Sequence, residues 1–215
     1  MKIKKVILFA CCSALMILEP ATTMAQEHQN TQQSVDPTLF DKLVAYDNIQ
    51  AKFKQRLVNP AQNINQLSQG QMWVTKPSYF KWQIDSPNEQ LLLSNGNKLW
   101  NYDKELQQVT IQNVPRKVSD APYLLLLTGD KETLNALFNV EKLDDNSYRL
   151  TPKNGDQALI SYVDIRFAGN TLDKITIGTE TGQKTIVTFY DETHAKIPLA
   201  TYNFIIPKGV DVLGE

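Results

Sequence analysis

Alternation of apolar and polar residues with a period of two is the strongest constraint on the fold of this chain, because it favours strands with one buried face. In residues 79–85 the apolar members of the alternation are Phe80, Trp82 and Ile84. Similar runs occur in residues 49–54 and between residues 162 and 190, and the last predicted strand covers residues 202–206. Asn95-Gly96 is a strong hairpin signal, since both residues tolerate positive φ. We therefore predict about ten antiparallel strands.

Two short helices and one apolar segment interrupt this pattern. Asp36-Pro37 offers an N-cap and a first-turn proline for one helix, and residues 130–138 form another. Ahead of the second helix, Pro122 precedes a segment that is apolar on every side, Tyr123-Leu124-Leu125-Leu126-Leu127. A helix of that kind cannot lie with one face in water. We expect a single curved sheet or barrel, with helices that cover one opening.

The N-terminus has the pattern of a secretory signal peptide. Lysines at positions 2, 4 and 5 precede an apolar run at residues 6–18, and small residues lead to a cleavage site before Gln26. The run is too short to span a bilayer. We therefore predict a signal peptide at residues 1–25 and export of a soluble protein.

The mature chain is expected to form one domain. Residues 26–35 are polar and are predicted to be a flexible lead-in, and residues 36–215 form the domain, without an internal repeat or linker. Both cysteines, Cys11 and Cys12, lie in the predicted signal peptide. The mature chain therefore has no disulfide and no cysteine metal ligand.

Composition and motifs give no indication of catalysis. The chain has 22 Lys+Arg against 23 Asp+Glu, which lacks the basic excess of a typical nucleic-acid binder. His28 and His194 have no partner at metal-ligand spacing, and we interpret both as surface residues. Residues 178–185 resemble a phosphate-binding loop, but the glycine spacing is wrong and a hairpin turn fits better. We predict no enzyme, no metal site, no cofactor and no nucleic-acid partner.

Three apolar features are unusual for a plain β domain. Leu91-Leu92-Leu93 sends leucines to both faces of one strand, three tryptophans lie close together in sequence, and the segment at 123–127 needs apolar contact on more than one side. One interpretation is a well-filled core under a packed helix. The other is a curved sheet whose concave face is an apolar cavity, with the leucine helix as its lid. In that case the cavity is lined by Trp73, Phe80, Trp82, Ile84, Leu91, Leu93 and Trp100.

Several longer segments combine tryptophan, proline and glycine in a distinctive order. They are residues 70–82 (GQMWVTKPSYFKW), 95–103 (NGNKLWNYD), 106–110 (LQQVT), Ala121-Pro122 with its leucine run, 150–153 (LTPK) and 204–212 (FIIPKGVDV). In these segments the chain resembles the periplasmic outer-membrane lipoprotein carrier family, LolA. The resemblance runs from about Leu39 to Val212, nearly the whole predicted mature chain.

The resemblance implies an incomplete antiparallel β-barrel of about ten or eleven strands, covered by a helical lid over a cavity for acyl chains. It implies three partners for a monomeric carrier: acylated lipoproteins, an inner-membrane ABC transporter like LolCDE and an outer-membrane receptor like LolB. The lid corresponds to residues 122–127, from Pro122 to Leu127. In the family, an arginine before the proline of the Trp-x-x-x-Pro segment helps to hold the lid shut. Here Lys76 takes that position as the lid latch, and it keeps the charge but loses the planar fork of donors.

Alternative functions differ in what they require of the chain. A membrane-anchored acceptor like LolB needs an acylated N-terminal cysteine, for which Cys11 is the candidate. A periplasmic lipid-modifying enzyme needs a nucleophile and a base, and no such motif is present. A stress-sensing binding protein of the same fold needs an additional domain. For the carrier, we predict that Phe80→Glu keeps the fold and abolishes delivery.

Overall fold

The structure, a computed structural model, describes residues 37–114, 131–153 and 160–214. The predicted signal peptide, the lead-in and the predicted lid at 122–127 lie outside these residues. The helices are α1 (Pro37–Val44) and α2 (Lys131–Leu137), and short 3-10 helices lie at Pro60–Gln62 and Leu199–Tyr202. The strands are β1 (Asn48–Asn59), β2 (Ile64–Thr75), β3 (Tyr79–Ser86), β4 (Gln90–Asn95), β5 (Lys98–Asp103), β6 (Gln108–Asn113), β7 (Phe138–Asp144), β8 (Ser147–Pro152), β9 (Tyr162–Ala168), β10 (Thr171–Gly178), β11 (Lys184–Thr193) and β12 (Asp211–Gly214).

These twelve strands form one unclosed sheet in the order β12-β6-β5-β4-β3-β2-β1-β11-β10-β9-β8-β7. Neighbouring strands are antiparallel, except that β12 runs parallel to β6. The predicted mainly β fold, an incomplete antiparallel β-barrel, is confirmed as an unclosed sheet, with twelve strands in place of ten or eleven. Within the described ranges, neither helix approaches the length and apolarity needed to cross a membrane.

The register of the strands divides the sheet into two faces, because residues paired directly across antiparallel strands project to the same side. Ala51 pairs with Met72, and Met72 pairs with Trp82. We call the side that these residues share the inner face. Trp73 pairs with Lys81 on the opposite side, which we call the outer face.

The main core lies on the inner face, and both helices contribute to it. Leu39 and Leu43 of α1 and Leu134 of α2 are buried in the same cluster as the inner residues of the strands. The predicted helix after Asp36-Pro37 therefore exists, and its apolar stripe faces the sheet. The fully buried members of this cluster include Leu39, Phe53, Met72, Val74, Phe80, Leu134, Tyr148, Leu150 and Ile165.

Residues 194–210, which we call the C-terminal segment, contact the outer face of β2, β3 and β5 through Tyr202 and Phe204. The hydroxyl groups of Tyr202 and Thr75 are 2.8 Å apart, and the Tyr202 ring lies 5.3 Å from that of Tyr79. The predicted strand at 202–206 is wrong. Tyr202 ends a 3-10 helix and is buried. Its packing against Thr75 and Tyr79 on the outer face takes the place of strand pairing. The last strand forms further on, at β12.

The turn between β4 and β5 shows why the hairpin signal works here. Gly96 has φ of 89°, and a Cβ atom there would approach the Ser78 Cβ to 2.8 Å. Asn95 contributes differently from the expectation of positive φ at both residues. It stays at the end of β4, and its side-chain oxygen accepts hydrogen bonds from the backbone N–H groups of Asn97 and Lys98.

Candidate functional site

The seven residues predicted to line a cavity lie on both faces of the sheet. Phe80, Trp82 and Ile84 project from the inner face of β3. The register places the other four on the outer face, as the pairs Trp73–Lys81, Lys81–Leu93, Leu93–Trp100 and Leu91–Gln83. The structure therefore brings together three of the seven on the face that the helices cover.

An aromatic cluster forms the centre of the inner face. The rings of Phe53 and Trp82 are stacked with centroids 3.9 Å apart, and Phe80 lies 6.2 Å from Trp82. Phe189 of β11 meets Trp82 edge-on at 6.1 Å. These rings come from three strands, so the cluster spans the middle of the sheet.

Gly70 of β2 makes the closest of these contacts possible. Gly70 pairs with Phe53 on one side and with Ile84 on the other. A Cβ atom on Gly70 would come within 1.9 Å of the Gln83 carbonyl oxygen and 2.9 Å of the Phe53 ring. Because this position carries no side chain, the Phe53 ring can lean across β2 and stack on Trp82.

The inner face changes from apolar to polar along β1. Ile49, Ala51 and Phe53 are buried, whereas Gln55 and Leu57 further along the strand are half-buried. The same change occurs on β3, where Phe80 is fully buried and Ile84 is half-buried. The inner face therefore opens at the end of β1 that lies away from α1.

A cleft of about 460 Å³ lies at this open end, and we call it the rim cleft. It is lined by Gln55, Leu57, Gln66, Leu67, Ser68, Ile84, Pro87, Asn88 and Gln90. Ile84 also packs against the main core, so the floor of the cleft is continuous with the aromatic cluster. The space is thus apolar at its base and polar at its margin.

The predicted residues on the outer face pack against other parts of the chain. We call them the outer group: Trp73, Leu91, Leu93 and Trp100. Leu93 is 1% exposed although it faces away from the main core. The Lys81 ammonium lies 4.6 Å from the centroid of the Trp73 ring, and burial lowers the pKa of Lys81. Beside this group, Phe204 of the C-terminal segment lies 5.7 Å from Tyr102. The outer residues contribute to a second, smaller packed region.

Lys76 contacts α1. Its ammonium donates a hydrogen bond to the backbone carbonyl of Leu43, near the C-terminus of α1, and its backbone N–H donates to the Asp47 carbonyl at 2.9 Å. Desolvation by burial lowers the pKa of Lys76, partly offset by the charge of Asp47. A cation at this end of a helix is also favoured by the helix dipole. Lys76 therefore ties the first helix to the end of β2.

His194 is less exposed than its interpretation as a surface residue suggests. Its Nε2 lies 2.6 Å from a carboxylate oxygen of Glu192, and its ring stacks on that of Tyr46. The other Glu192 oxygen accepts a hydrogen bond from the Leu172 N–H at 2.9 Å. These contacts join the loop between α1 and β1 to the end of β11. The surroundings of His194 are therefore those of a residue with a structural role.

Sequence reasoning missed Phe53, Phe189 and Gly70 as parts of the site. Phe53 and Phe189 belong to alternating runs, so their strands could be predicted but not their proximity to Trp82. Gly70 stood within the distinctive 70–82 segment, and a glycine inside a strand is itself a signal of close backbone or side-chain approach. The glycine alone therefore marks position 70 as a place where another group approaches closely.

The chemistry of the site is that of apolar burial. The inner aromatic cluster presents carbon surface, and the buried Ser94 nearby accepts a hydrogen bond from the Gly96 N–H. In the three described ranges, histidine, aspartate and glutamate side chains nowhere gather in a group able to hold a metal ion. The arrangement is suited to a ligand with long apolar parts.

Comparison with known proteins gives a consistent result. A family model described as outer membrane lipoprotein carrier protein LolA matches residues 45–205. An outer-membrane lipoprotein carrier protein of Francisella tularensis subsp. novicida is 38% identical over 179 residues, which cover 82% of this chain and 86% of that protein. A protein of the same description from Chromohalobacter salexigens is 30% identical over 181 residues, with coverage of 82% and 84%.

One solved structure shares the fold at low sequence identity. An uncharacterized conserved protein from Thermus thermophilus aligns with a TM-score of 0.51 and 9% identity, over 82% of this chain and 97% of that chain. At that identity the likeness concerns the arrangement of the strands alone. The fold in which the inner face and the rim cleft are built is therefore shared with a distant protein.

Proposed function

This chain belongs to the LolA family of outer membrane lipoprotein carrier proteins, and from that membership we propose how it carries its cargo. It is a periplasmic chaperone for lipoproteins. The acyl chains bind against the inner face, around Phe80, Trp82 and Ile84, in place of part of the cover that the helices provide. The polar remainder of the lipoprotein leaves through the open end.

The observation that carries this proposal is the continuity between the aromatic cluster and the rim cleft through Ile84. A triacylated anchor has on the order of forty methylenes, and exposing them to water costs about 30 kcal/mol at about 0.8 kcal/mol each. Unaided transfer through water is therefore negligible. A face that is apolar inside and open at one end supplies what such an anchor needs.

The cover of this face has two proposed parts. The first is α1, whose buried leucines pack on the inner face and whose last turn is bonded by Lys76. The second is the segment from Pro122 to Leu127, which we propose as a lid because its sequence is apolar on every side. We propose that Lys76 acts as the latch by holding α1, and that ligand entry requires this hold to loosen.

The outer group has a different proposed role from the inner residues. Trp73, Leu91, Leu93 and Trp100 were expected in the cavity, and their outer-face positions support a role in stability. Leu93 is buried on the outer face, and the Trp73 ring contacts the Lys81 ammonium. We therefore propose a lining formed by the inner three residues together with Phe53 and Phe189.

We further propose the partners and the compartment that this function requires. Residues 1–25 direct export, and the mature monomer receives lipoproteins from an inner-membrane ABC transporter like LolCDE. It then delivers them to an outer-membrane receptor like LolB. Direct handover at both ends follows from the cost of exposing acyl chains to water, and it requires no nucleic acid, cofactor or catalytic group.

The test is release of a lipoprotein from membranes. Purified protein is incubated with inner membranes that contain the transporter, a lipoprotein and ATP, and the released fraction is separated by size. A one-to-one complex of carrier and lipoprotein is the expected result, and omission of ATP is the control. Lipoprotein that stays in the membrane fraction under both conditions contradicts the proposal.

A second measurement separates the carrier from a membrane-anchored acceptor. Mass spectrometry of the exported protein is expected to find Gln26 as the first residue, without an attached acyl chain. An acylated cysteine at the N-terminus would favour the acceptor instead.

A further inference from the structure

The rim cleft has a chemical character that acyl-chain binding alone does not explain. Its margin carries four side-chain amides, and none of its nine lining residues is charged. The amides belong to Gln55, Gln66, Asn88 and Gln90. Gln55 is half-buried, and the other three amides are exposed at the margin, where they can reach a bound ligand.

The amides lie at different points around an apolar floor. Gln55 and Leu57 are on the inner face of β1, and Gln66 pairs directly with Leu57 from β2. Gln90 pairs with Ile84 across β3 and β4. Two strand pairs thus bring polar groups to both sides of the apolar residues that continue toward the aromatic cluster.

Most of these amides have donor and acceptor atoms that no described protein group occupies. The Gln90 amide nitrogen donates to an Asp103 carboxylate oxygen at 3.0 Å, which leaves the Gln90 carbonyl as an acceptor. Among the described residues, the side chains of Gln55, Gln66 and Asn88 form no hydrogen bond with another protein group. Each of these three amides can both donate and accept.

We propose that the rim cleft binds the polar junction of a lipoprotein through its first peptide groups, which follow the ester carbonyls that a lipoprotein shares with glycerolipids. This inference rests on the proposed function, since the junction reaches the cleft only when the acyl chains occupy the inner face. Neutral carbonyl and N–H groups match neutral amides in both directions. A phospholipid with the same acyl chains has an anionic phosphate, and the cleft contains no cation to pair with it.

The consequence is selectivity for lipoproteins over membrane phospholipids. Two neutral hydrogen bonds contribute about 1–3 kcal/mol together, so we expect roughly tenfold tighter binding of a lipopeptide than of a lipid with the same chains. The acyl chains provide affinity for both ligands. The amides provide the difference between them.

The experiment uses the full mature chain and three probes with identical acyl chains: a dipalmitoylated cysteinyl peptide, dipalmitoylglycerol and dipalmitoylphosphatidylglycerol. Affinities are measured by titration with tryptophan fluorescence as the signal. The wild type is expected to bind the lipopeptide about tenfold tighter than either lipid. Equal affinity for the lipopeptide and phosphatidylglycerol overturns the inference.

The diagnostic variant is Gln55→Leu/Gln66→Leu, which removes one inner-face glutamine from each of β1 and β2. Its preference for the lipopeptide should fall to about onefold, with affinity for dipalmitoylglycerol kept. The matched control is Gln50→Leu/Gln71→Leu, with one outer-face glutamine from each of the same two strands. The control should keep the preference, and loss of preference in both variants overturns the assignment to the cleft.

A cross-linking measurement on the wild type avoids dependence on the variants. A photoreactive residue placed directly after the lipidated cysteine should label residues of the rim cleft. Labelling confined to α1, at the other end of the inner face, overturns the inference. Failure of the wild type to bind any of the three probes contradicts the proposed function as well, and so is distinguished from failure of the rim cleft alone.

Discussion

The inner aromatic cluster and the outer group are built from the same kinds of residue, and we propose different purposes for them: ligand binding for the first and stability for the second. Each contains a half-buried tryptophan, Trp82 inside and Trp100 outside, and each contains a fully buried neighbour, Phe80 inside and Leu93 outside. Burial alone therefore does not distinguish a binding surface from a structural one. What distinguishes them is the part of the chain that lies over each surface.

The covers of the two faces differ in how they are held. On the outer face, the C-terminal segment packs through Tyr202 and Phe204 and continues into β12, which is hydrogen-bonded into the sheet. On the inner face, α1 is a short helix bonded to Lys76 just after β2 and, through Lys42, to the Gly169 carbonyl between β9 and β10. Under the proposed function, the cover of the outer face serves stability, and the cover of the inner face is the one that the ligand displaces.

The most severe test of this comparison is Phe80→Glu. The sequence predicts a folded variant that does not deliver, but the complete burial of Phe80 changes the first part of that expectation. An unpaired carboxylate in this cluster costs about 3–5 kcal/mol in the free energy of unfolding. We expect both the melting temperature and lipoprotein release to fall sharply. Leu91→Glu, at a half-buried outer position, is the control: the folded variant should still release lipoprotein, and an equal loss of release there contradicts the contrast between the faces.

The two tryptophans provide a matched pair of truncations. Trp82→Ala should weaken binding of a diacylated lipopeptide by about tenfold, because about 1.4 kcal/mol of its apolar contact is lost. Trp100→Ala should lower the free energy of unfolding by about 2 kcal/mol and leave the affinity unchanged. Calorimetric titration and denaturant unfolding measure the two effects. Equal loss of affinity in both variants would show that the outer group also contacts the ligand.

Lys76→Met probes the hold on α1. Removal of the hydrogen bond to the Leu43 carbonyl should lower the free energy of unfolding by about 1 kcal/mol and speed acyl-chain entry. Lys76→Arg should restore slow entry, since it keeps a donor and a charge. Stopped-flow fluorescence with a lipid probe measures the rates, and entry that is unchanged in Lys76→Met argues against a latch.

The pH dependence of this variant has a defined sign. Burial lowers the pKa of Lys76 below its usual value of 10.5, so the folded state holds fewer protons than the unfolded state just below that pH. The stability of the wild type relative to Lys76→Met should therefore rise as the pH increases toward 10.5. Chemical unfolding at a series of pH values measures the difference, and a constant difference contradicts the burial of a charged ammonium.

Tyr202→Phe should give the smallest effect. The variant loses the hydrogen bond with Thr75 but keeps the ring packing, so we expect about 1 kcal/mol less stability at neutral pH and unchanged delivery. Burial raises the pKa of Tyr202 to about 12. The folded state then holds its proton more strongly than the unfolded state, so the advantage of the wild type over Tyr202→Phe should shrink above pH 10. Denaturant unfolding at several pH values measures it, and an advantage that grows over this range would contradict the burial of the phenol.

The sequence predicted most of the strands, and it predicted which residues of β3 share the inner face. Alternation placed Phe80, Trp82 and Ile84 on a common side, which the structure confirms. It could not relate this side to that of Leu91 and Leu93, because alternation fixes faces within a strand and not between strands. That relation depends on the register set by the turn from β3 to β4.

The cover of the outer face could not be predicted for a different reason. Tyr202 and Thr75 are 127 residues apart in the chain, and no local pattern relates them. The prediction of a strand at 202–206 followed the local apolar composition, whereas long-range packing decided the structure. The rim cleft was missed in the same way, since its glutamines lie on three strands and have no common motif.

The absence of a side chain at Gly70 has a consequence for how this protein can be altered. Even the single methyl of an alanine there would press against the Gln83 carbonyl and the Phe53 ring, and so would separate rings that now touch. The conservative substitution Gly70→Ala would therefore divide one continuous apolar surface into two smaller ones. Variants designed for bulkier cargo should therefore change the aromatic residues and keep Gly70.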